Sequence, residues 1–400
     1  MKKRKTVFCE MGFLSKFLRL RPTMLEADTK SICQMECWGA LYKFLCKSDI
    51  TIDISKEEFS KLADKDSWLA MLWKKSAAGE CGLEFNSEKI IKPDNVGMNK
   101  LDDVFLNALF LTDKEEVECE KFSDNYGTFA LNGKSIMECS HLFKDNGCAF
   151  PSETAKDWSF LSALNGCHPR LNVGNSLIIV DNYLFESNSR ETGGSNRDVT
   201  FDFEDKIDFN LKPILDYILP QKLADDLFYE ISIISGRENI NYESQYNYVR
   251  STIRKLRPKL NFKLSFYNNA SIFHDRCIVS NNVWISCGHG FDIFKKEKSN
   301  PSKSTTVNVV FPFIQSNILW ADDSFLNLMK DAKKIILRFN EEGKNYWGDN
   351  KGKCRIMSCY CESGGEKASD NDLVMQDSTP FTIGRLKCSG KIDLSKIPKR

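Results

Sequence analysis

Two of the four histidines in this 400-residue chain, His274 and His289, bracket Arg276, Asn281 and Asn282 within the stretch Phe273 to Phe294. An imidazole can attack phosphorus or hand a proton to a leaving oxygen. A guanidinium can neutralise a phosphoryl oxygen through two parallel hydrogen bonds. Gly288 and Gly290 flank His289, and neither carries a Cβ that would hold the backbone away from a ligand. The chemistry these residue types suggest is phosphate handling.

Such side chains need an element that points them the same way. Cys277 to Ser280 and Val283 to Ser286 are short apolar runs separated by Asn281-Asn282, which predicts a β-hairpin with Asn accepting the turn. Alternation along its first arm places His274, Arg276 and Ile278 on one side. Written out, the spacing is His-x-Arg-(x)4-Asn-(x)6-Gly-His-x-x-Asp, from His274, Arg276, Asn281, Gly288, His289 and Asp292.

That spacing resembles the phospholipase D superfamily motif, His-x-Lys-(x)4-Asp followed by (x)6-Gly-Ser-x-x-Asn. Only the histidine and the glycine are unchanged. The layout is more similar to the phospholipase D-like C-terminal domain of eukaryotic MIT-domain proteins and to bacterial relatives with a His-Asp-Arg element. His274-Asp275-Arg276, Trp284 and Gly288-His289-Gly290-Phe291-Asp292 carry that likeness. The resemblance covers about residues 170 to 340. It implies a domain that binds phosphoinositide-bearing membrane without catalysing a reaction.

Superfamily enzymes use one histidine as nucleophile and a second, from another copy of the motif, as general acid. A single copy would have to form a homodimer to work as a phosphodiesterase or nuclease, with His274 attacking phosphorus. Asn281 stands where an acidic residue normally orients a histidine, and an amide cannot stabilise an imidazolium by charge. Phosphate binding therefore survives these substitutions better than turnover. His168-Pro169-Arg170 with Asn175 repeats part of the spacing, but its Pro and Gly read as a loop leading into a strand at Ser176 to Val180. The expected phosphate contacts are His274, Arg276, Asn281, His289, Asp292, Lys295 and Lys296. The partner class is a phosphate-bearing polyanion, nucleic acid or anionic lipid headgroup, with a scaffold or interaction role as the remaining reading.

Composition bounds these readings. With 42% hydrophobic and 28% charged residues the chain has the profile of a globular protein, which excludes a disordered polymer. Lys plus Arg number 56 against 55 Asp plus Glu, so any polyanion site has to be local. Candidate local runs are Arg250, Arg254, Lys255, Arg257, Lys259 and Lys263, and Lys295, Lys296 and Lys298. Met1 to Lys5 is basic, but Glu10, Lys16 and Arg19 interrupt the residues that follow. No secretory leader or membrane span is expected, and the cytoplasm is the expected location. Fifteen singly scattered cysteines read as reduced thiols. Cys354, Cys359, Cys361 and Cys388 lack a Cys-x-x-Cys knuckle, and Cys33 with Cys37 reads as helix core, so neither metal nor cofactor is expected. Asp102, Asp103 and Asp113 read as helix-cap carboxylates before a metal-nuclease set.

Three regions follow. Residues 1–150 read as a mostly helical interaction domain, with a helical pattern from Thr29 to Lys75, a helix start at Ser55 with Glu57 and Glu58, an apolar segment at Leu101 to Leu111, and a short strand at Tyr126 to Leu131. Residues 151–341 read as an α/β, phospholipase D-like mixed sheet flanked by helices. Its strands are expected at Leu177 to Asp181, Phe228 to Ile234, Phe262 to Phe266 and Val307 to Phe311, and its helices at Leu211 to Leu219, Ser244 to Leu256 and Ser324 to Leu337, with a loop from Ser187 to Asp205. Residues 342–400 turn polar and read as an extension.

Overall fold

The computed structural model describes residues 6–19, 21, 29–85, 109–138, 148–151, 155, 157–161, 170–185, 203–225, 228–236, 243–268, 276–280, 283–291, 293–294, 305–310 and 346–348. They fall into two compact units, divided between Asp145 and Asn146. Each unit is built on its own sheet, and the chain as a whole is mixed α/β.

The first unit is rich in helix, as the sequence suggests, but a parallel sheet organises it. Strands β1 (Thr6–Cys9), β2 (Asp49–Ile52), β3 (Gly82–Phe85), β4 (Leu109–Leu111) and β5 (Ala130–Leu131) lie in the order β3-β2-β1-β4-β5, all parallel. Among the described residues, α1 (Met11–Arg19) and α2 (Thr29–Leu45) lie between β1 and β2, α3 (Lys56–Ala63) and α4 (Ser67–Ala77) between β2 and β3, and α5 (Glu116–Tyr126) between β4 and β5, while α6 (Ser135–Glu138) follows β5. The continuous helical pattern read over Thr29 to Lys75 is therefore broken by β2. Four residues, Asp-Ile-Thr-Ile, are too few to show a period of two against the helices on either side. Of the segment Leu101 to Leu111, the described residues 109–111 form β4, and the expected strand from Tyr126 shrinks to Ala130–Leu131. Tyr126 closes α5, and Gly127 ends that helix at φ 65°, a left-handed cap that glycine adopts without a Cβ penalty.

Local sequence explains where these helices start. Ser55 caps α3 and Glu58 reaches back to the Ser55 backbone, completing a capping box. Asp66 caps α4 by accepting from the amides of Trp68 and Leu69. On α1, Phe13, Leu14, Phe17 and Leu18 are buried, the three- and four-residue spacing of a core-facing stripe. Trp38 stacks on Phe17 and on Tyr42, while Trp68 meets both Trp38 and Tyr42 edge to face. Cys37 packs in this core and donates to the Ile136 carbonyl.

The second unit holds an eight-stranded mixed sheet in the order β13-β9-β8-β7-β10-β11-β12-β6. Its strands are β6 (Cys148–Pro151), β7 (Ser176–Val180), β8 (Tyr229–Ser235), β9 (Phe262–Asn268), β10 (Arg276–Ser280), β11 (Trp284–Cys287), β12 (Thr306–Val310) and β13 (Tyr346–Gly348). Only β7, β8 and β9 run parallel, and the remaining pairs are antiparallel. The near-continuous Leu, Ile and Val run of β7 is what burial on both faces requires, and every residue of β8 is buried as well, Glu230, Ser232 and Ser235 included. The strand expected at Leu177 to Asp181, the hairpin of β10 and β11, and the strands at 228–234, 262–266 and 307–311 are all present within a residue or two. The sheet extends past residue 341, because Tyr346–Gly348 pairs with β9.

Among the helices of this unit, α7 (Phe203–Lys206) runs through a π-helical turn (Ile207–Leu211) into α8 (Lys212–Ile218). The residues 203–205 expected in a loop thus begin a helix. Farther on, α9 (Glu243–Leu256) buries Tyr246, Val249, Thr252 and Ile253, as its amphipathic spacing predicts. The helix expected at Ser324 to Leu337 lies outside the described residues. Among the described residues, no helix is long and apolar enough to cross a membrane.

Candidate functional site

Parallel sheets collect ligands at the carboxyl ends of their strands, and two of the predicted features, Arg276 and the turn that carries His289, meet at that edge of the second unit. β10 runs antiparallel to β7 with Cys277 opposite Val180. One step beyond this pair, Arg276 and Asp181 come level. β11 returns alongside β10 with Cys287 opposite Arg276, so the Gly288-His289-Gly290 turn emerges at the same edge.

Arg276 is half-buried and held on two sides. Its Nη1 donates to the Gly288 carbonyl, and its guanidinium carbon lies 4.7 Å from the centre of the Tyr183 ring, within cation–π range. Its Nε is buried and has no acceptor among the described residues. The Nε side of the guanidinium fork, which together with Nη2 can grip two oxygens of one phosphate, is the side left without a protein partner there.

Asp181 is fully buried at the end of β7. Its Oδ1 accepts from the Tyr183 amide at 2.9 Å and its Oδ2 from the Phe291 amide at 2.7 Å. Gly290 sits at φ 89°, and a Cβ there would stand 2.9 Å from Asp181 Oδ2. Only glycine suits that conformation and that approach. The Cys287 thiol donates to the Gly290 carbonyl at 2.9 Å, and burial pushes this thiol above its ordinary value. His289 is exposed at the tip of the turn.

Asn210, buried in the π-helical turn, ties down the segment that follows. Its Oδ1 accepts from the Phe294 amide and from Trp158 Nε1, and its Nδ2 donates to the Phe294 carbonyl. Phe291 and Phe294 pack on Trp158. Phe291 is thus a core residue, whereas Trp284 remains half-buried on its strand. Lys206, also buried, donates to the Tyr183 carbonyl at 3.3 Å.

Of the predicted contacts, Arg276 and the His289 turn are brought to one edge. His274, Asn281, Asp292, Lys295 and Lys296 lie outside the described residues, as do Lys298, Asp102, Asp103, His168 and the cysteines from Cys354 onward. Arg170 sits in the left-handed region at φ 72° and belongs to the turn before β7, which fits the loop reading of that partial repeat. Tyr183, Lys206 and Asn210 escaped the sequence reading.

The basic run from Arg250 to Lys263 does not border this edge as a free charge patch. Arg257 is buried, donating from Nε to the Leu219 carbonyl and from Nη1 to Asp216 at 2.7 Å. Arg254 lies over the Phe262 ring at 4.6 Å and Lys263 over Phe228 at 4.9 Å. Arg257, Lys259 and Lys263 stand near the start of β9, at the amino end of the parallel strands and opposite the Arg276 edge.

The carboxyl edge of the first sheet carries carboxylates instead. Glu10 follows β1 and accepts from Thr112 Oγ1 at 2.7 Å and the Asp113 amide at 2.8 Å. Asp53 follows β2 and accepts from the Met11 amide at 2.6 Å. Asp113 pairs with Lys16 at 3.3 Å. Burial, and then the charges of Asp53, Glu10 and Asp113, push the Cys9 thiol well above its ordinary value. Among the described residues, no group of three His, Cys, Asp or Glu side chains is arranged to hold a metal ion.

The two units define a two-sheet α/β protein whose second sheet presents an arginine and a glycine turn at its strand ends. No protein-family model matches the chain, and no curated protein matches its sequence.

Proposed function

We propose that the second unit binds phosphate groups of a polyanion at the Arg276 edge, as a phospholipase D-like module that has kept binding and lost turnover. The observation that carries this reading is the buried Arg276 Nε without an acceptor among the described residues. A buried donor left unmatched costs about 1 to 3 kcal/mol, and a phosphate oxygen is the acceptor a guanidinium fork fits best. Gly288 and Tyr183 fix the fork from the other side, which lowers the ordering cost of gripping an anion. In this reading His274, His289, Asp292, Lys295 and Lys296 complete the pocket, whereas Asn281 follows Ser280, which pairs with Leu177 at the opposite end of β10 from Arg276. Asn281 in place of an acid favours binding over covalent phosphoryl transfer.

The test is a binding screen with DNA oligonucleotides, RNA oligonucleotides and anionic vesicles over a range of salt, on the wild type and on Arg276→Ala. The wild type should bind one of these classes with an affinity that falls as salt rises. Arg276→Ala should weaken it about tenfold or more, the loss expected for a charge-assisted contact. Equal binding by the two proteins overturns the reading. Turnover of a phosphodiester substrate that His274→Ala abolishes replaces it with the dimer-completed enzyme.

A further inference from the structure

We infer that Asp181 is the positioning residue of this anion site, an assignment that rests on the phosphate-binding reading above. Arg276 has two supports: the Gly288 carbonyl, which receives Nη1, and the Tyr183 ring, which lies under the guanidinium. Both supports hang from one carboxylate. Asp181 Oδ2 takes the Phe291 amide and so closes the Gly288 to Phe291 turn, while Oδ1 takes the Tyr183 amide and so sets the residue that carries the ring.

Three features argue that the carboxylate was placed for this task. Burying a carboxylate is costly unless its oxygens are hydrogen-bonded, and Asp181 is wholly buried. A neutral asparagine offers one oxygen and one N–H₂, so it would present a donor to one of two backbone donors. Gly290, at φ 89°, passes so close that any side chain there would collide with the Asp181 oxygens. The backbone of Asp181 itself is locked, since its amide donates to the Ile234 carbonyl of the adjacent strand. A rigid strand end therefore orients the turn and the aromatic platform together, and Arg276 inherits its direction from both. The residue acts through these supports and not on the ligand.

The experiment uses the full chain and compares wild type, Asp181→Asn, Arg276→Ala and the double variant. Amide hydrogen exchange should show Phe291 and Tyr183 exchanging about tenfold faster or more in Asp181→Asn, as expected when local opening replaces a lost hydrogen bond, with the β8 and β9 amides still protected. Unchanged protection at Phe291 overturns the inference. Titration with inorganic pyrophosphate followed by phosphorus NMR should show both single variants weakened and the double variant no weaker than Arg276→Ala alone, because the two act as one unit. Additive losses overturn the positioning role. Equal binding of pyrophosphate by wild type and Arg276→Ala sinks the phosphate reading and Asp181's part in it, while the exchange data still settle whether the carboxylate holds the turn. If Asp181→Asn does not fold, Gly290→Ala tests the same hold with the carboxylate intact. It should loosen the Phe291 amide and weaken pyrophosphate binding, and wild-type behaviour in both measurements overturns the inference.

Discussion

At the carboxyl edge of the first sheet, each carboxylate named above has a protein partner. Glu10 serves a hydroxyl and an amide, Asp53 serves the start of α1, and Asp113 meets Lys16. At the same edge of the second sheet, the carboxylate is likewise matched, but the arginine beside it keeps a buried N–H without an acceptor among the described residues. The comparison teaches that a cluster of ionisable residues at strand ends is not by itself a ligand site. What distinguishes one is a polar group held in place whose partner is not supplied by the described protein.

The difference can be broken first through stability. Glu10→Ala should leave the Thr112 hydroxyl and the Asp113 amide without their acceptor and cost about 3 kcal/mol. Arg276→Ala, losing one bond to a carbonyl and one ring contact, should cost about 1 kcal/mol or less. Urea unfolding of the two variants checks this, and equal costs would erase the contrast between a structural edge and a binding edge. A smaller effect calibrates the scale. Ser55→Ala removes the capping box of α3 and should cost about 1 kcal/mol in the same unfolding measurement.

The last prediction concerns alkaline pH. Cys9 and Cys287 both hold their protons more tightly in the folded protein than in the unfolded chain. Unfolding then releases protons above the ordinary thiol pKa, so their contribution is fully present below about pH 8.5 and is lost as pH rises beyond it. Because three carboxylates reinforce burial at Cys9, Cys9→Ala should flatten the alkaline decline more than Cys287→Ala does. Unfolding midpoints measured across pH 8 to 10, roughly the span between the thiol and phenol values, would show this, and equal slopes would place both thiols in the same electrostatic setting.

Much of the second unit was legible because its elements are long or uniform enough to carry a period. The run at 177–181 reads as a buried strand, 228–234 and 262–266 read as strands, and Ser244 to Leu256 reads as a helix. The first sheet was not legible, since strands of two to four residues between helices carry no period of their own. Its advance signals were the apolar residues ahead of Thr112, which hold β4, and the short strand expected at Tyr126 to Leu131, whose end is β5. In the site, Arg276 and the glycine turn were found through spacing along one hairpin, where partners are near in sequence. Tyr183, Lys206 and Asn210 come from other elements, and nothing in their neighbours marks them.

What the sequence by itself determined is local: which residues alternate along β10 and β11, where Ser55 starts a helix, and that the turn after β11 needs glycine. Tertiary structure decided the register that brings Asp181 level with Arg276 and turns both toward the glycine turn. It also decided that Arg257, Lys259 and Lys263 of the basic run stand at the opposite end of the strands. The physical reason is that strand register in a sheet is fixed by pairing between distant segments, such as Val180 with Cys277. Which polar atoms find partners depends on that register and not on the order of residues along the chain.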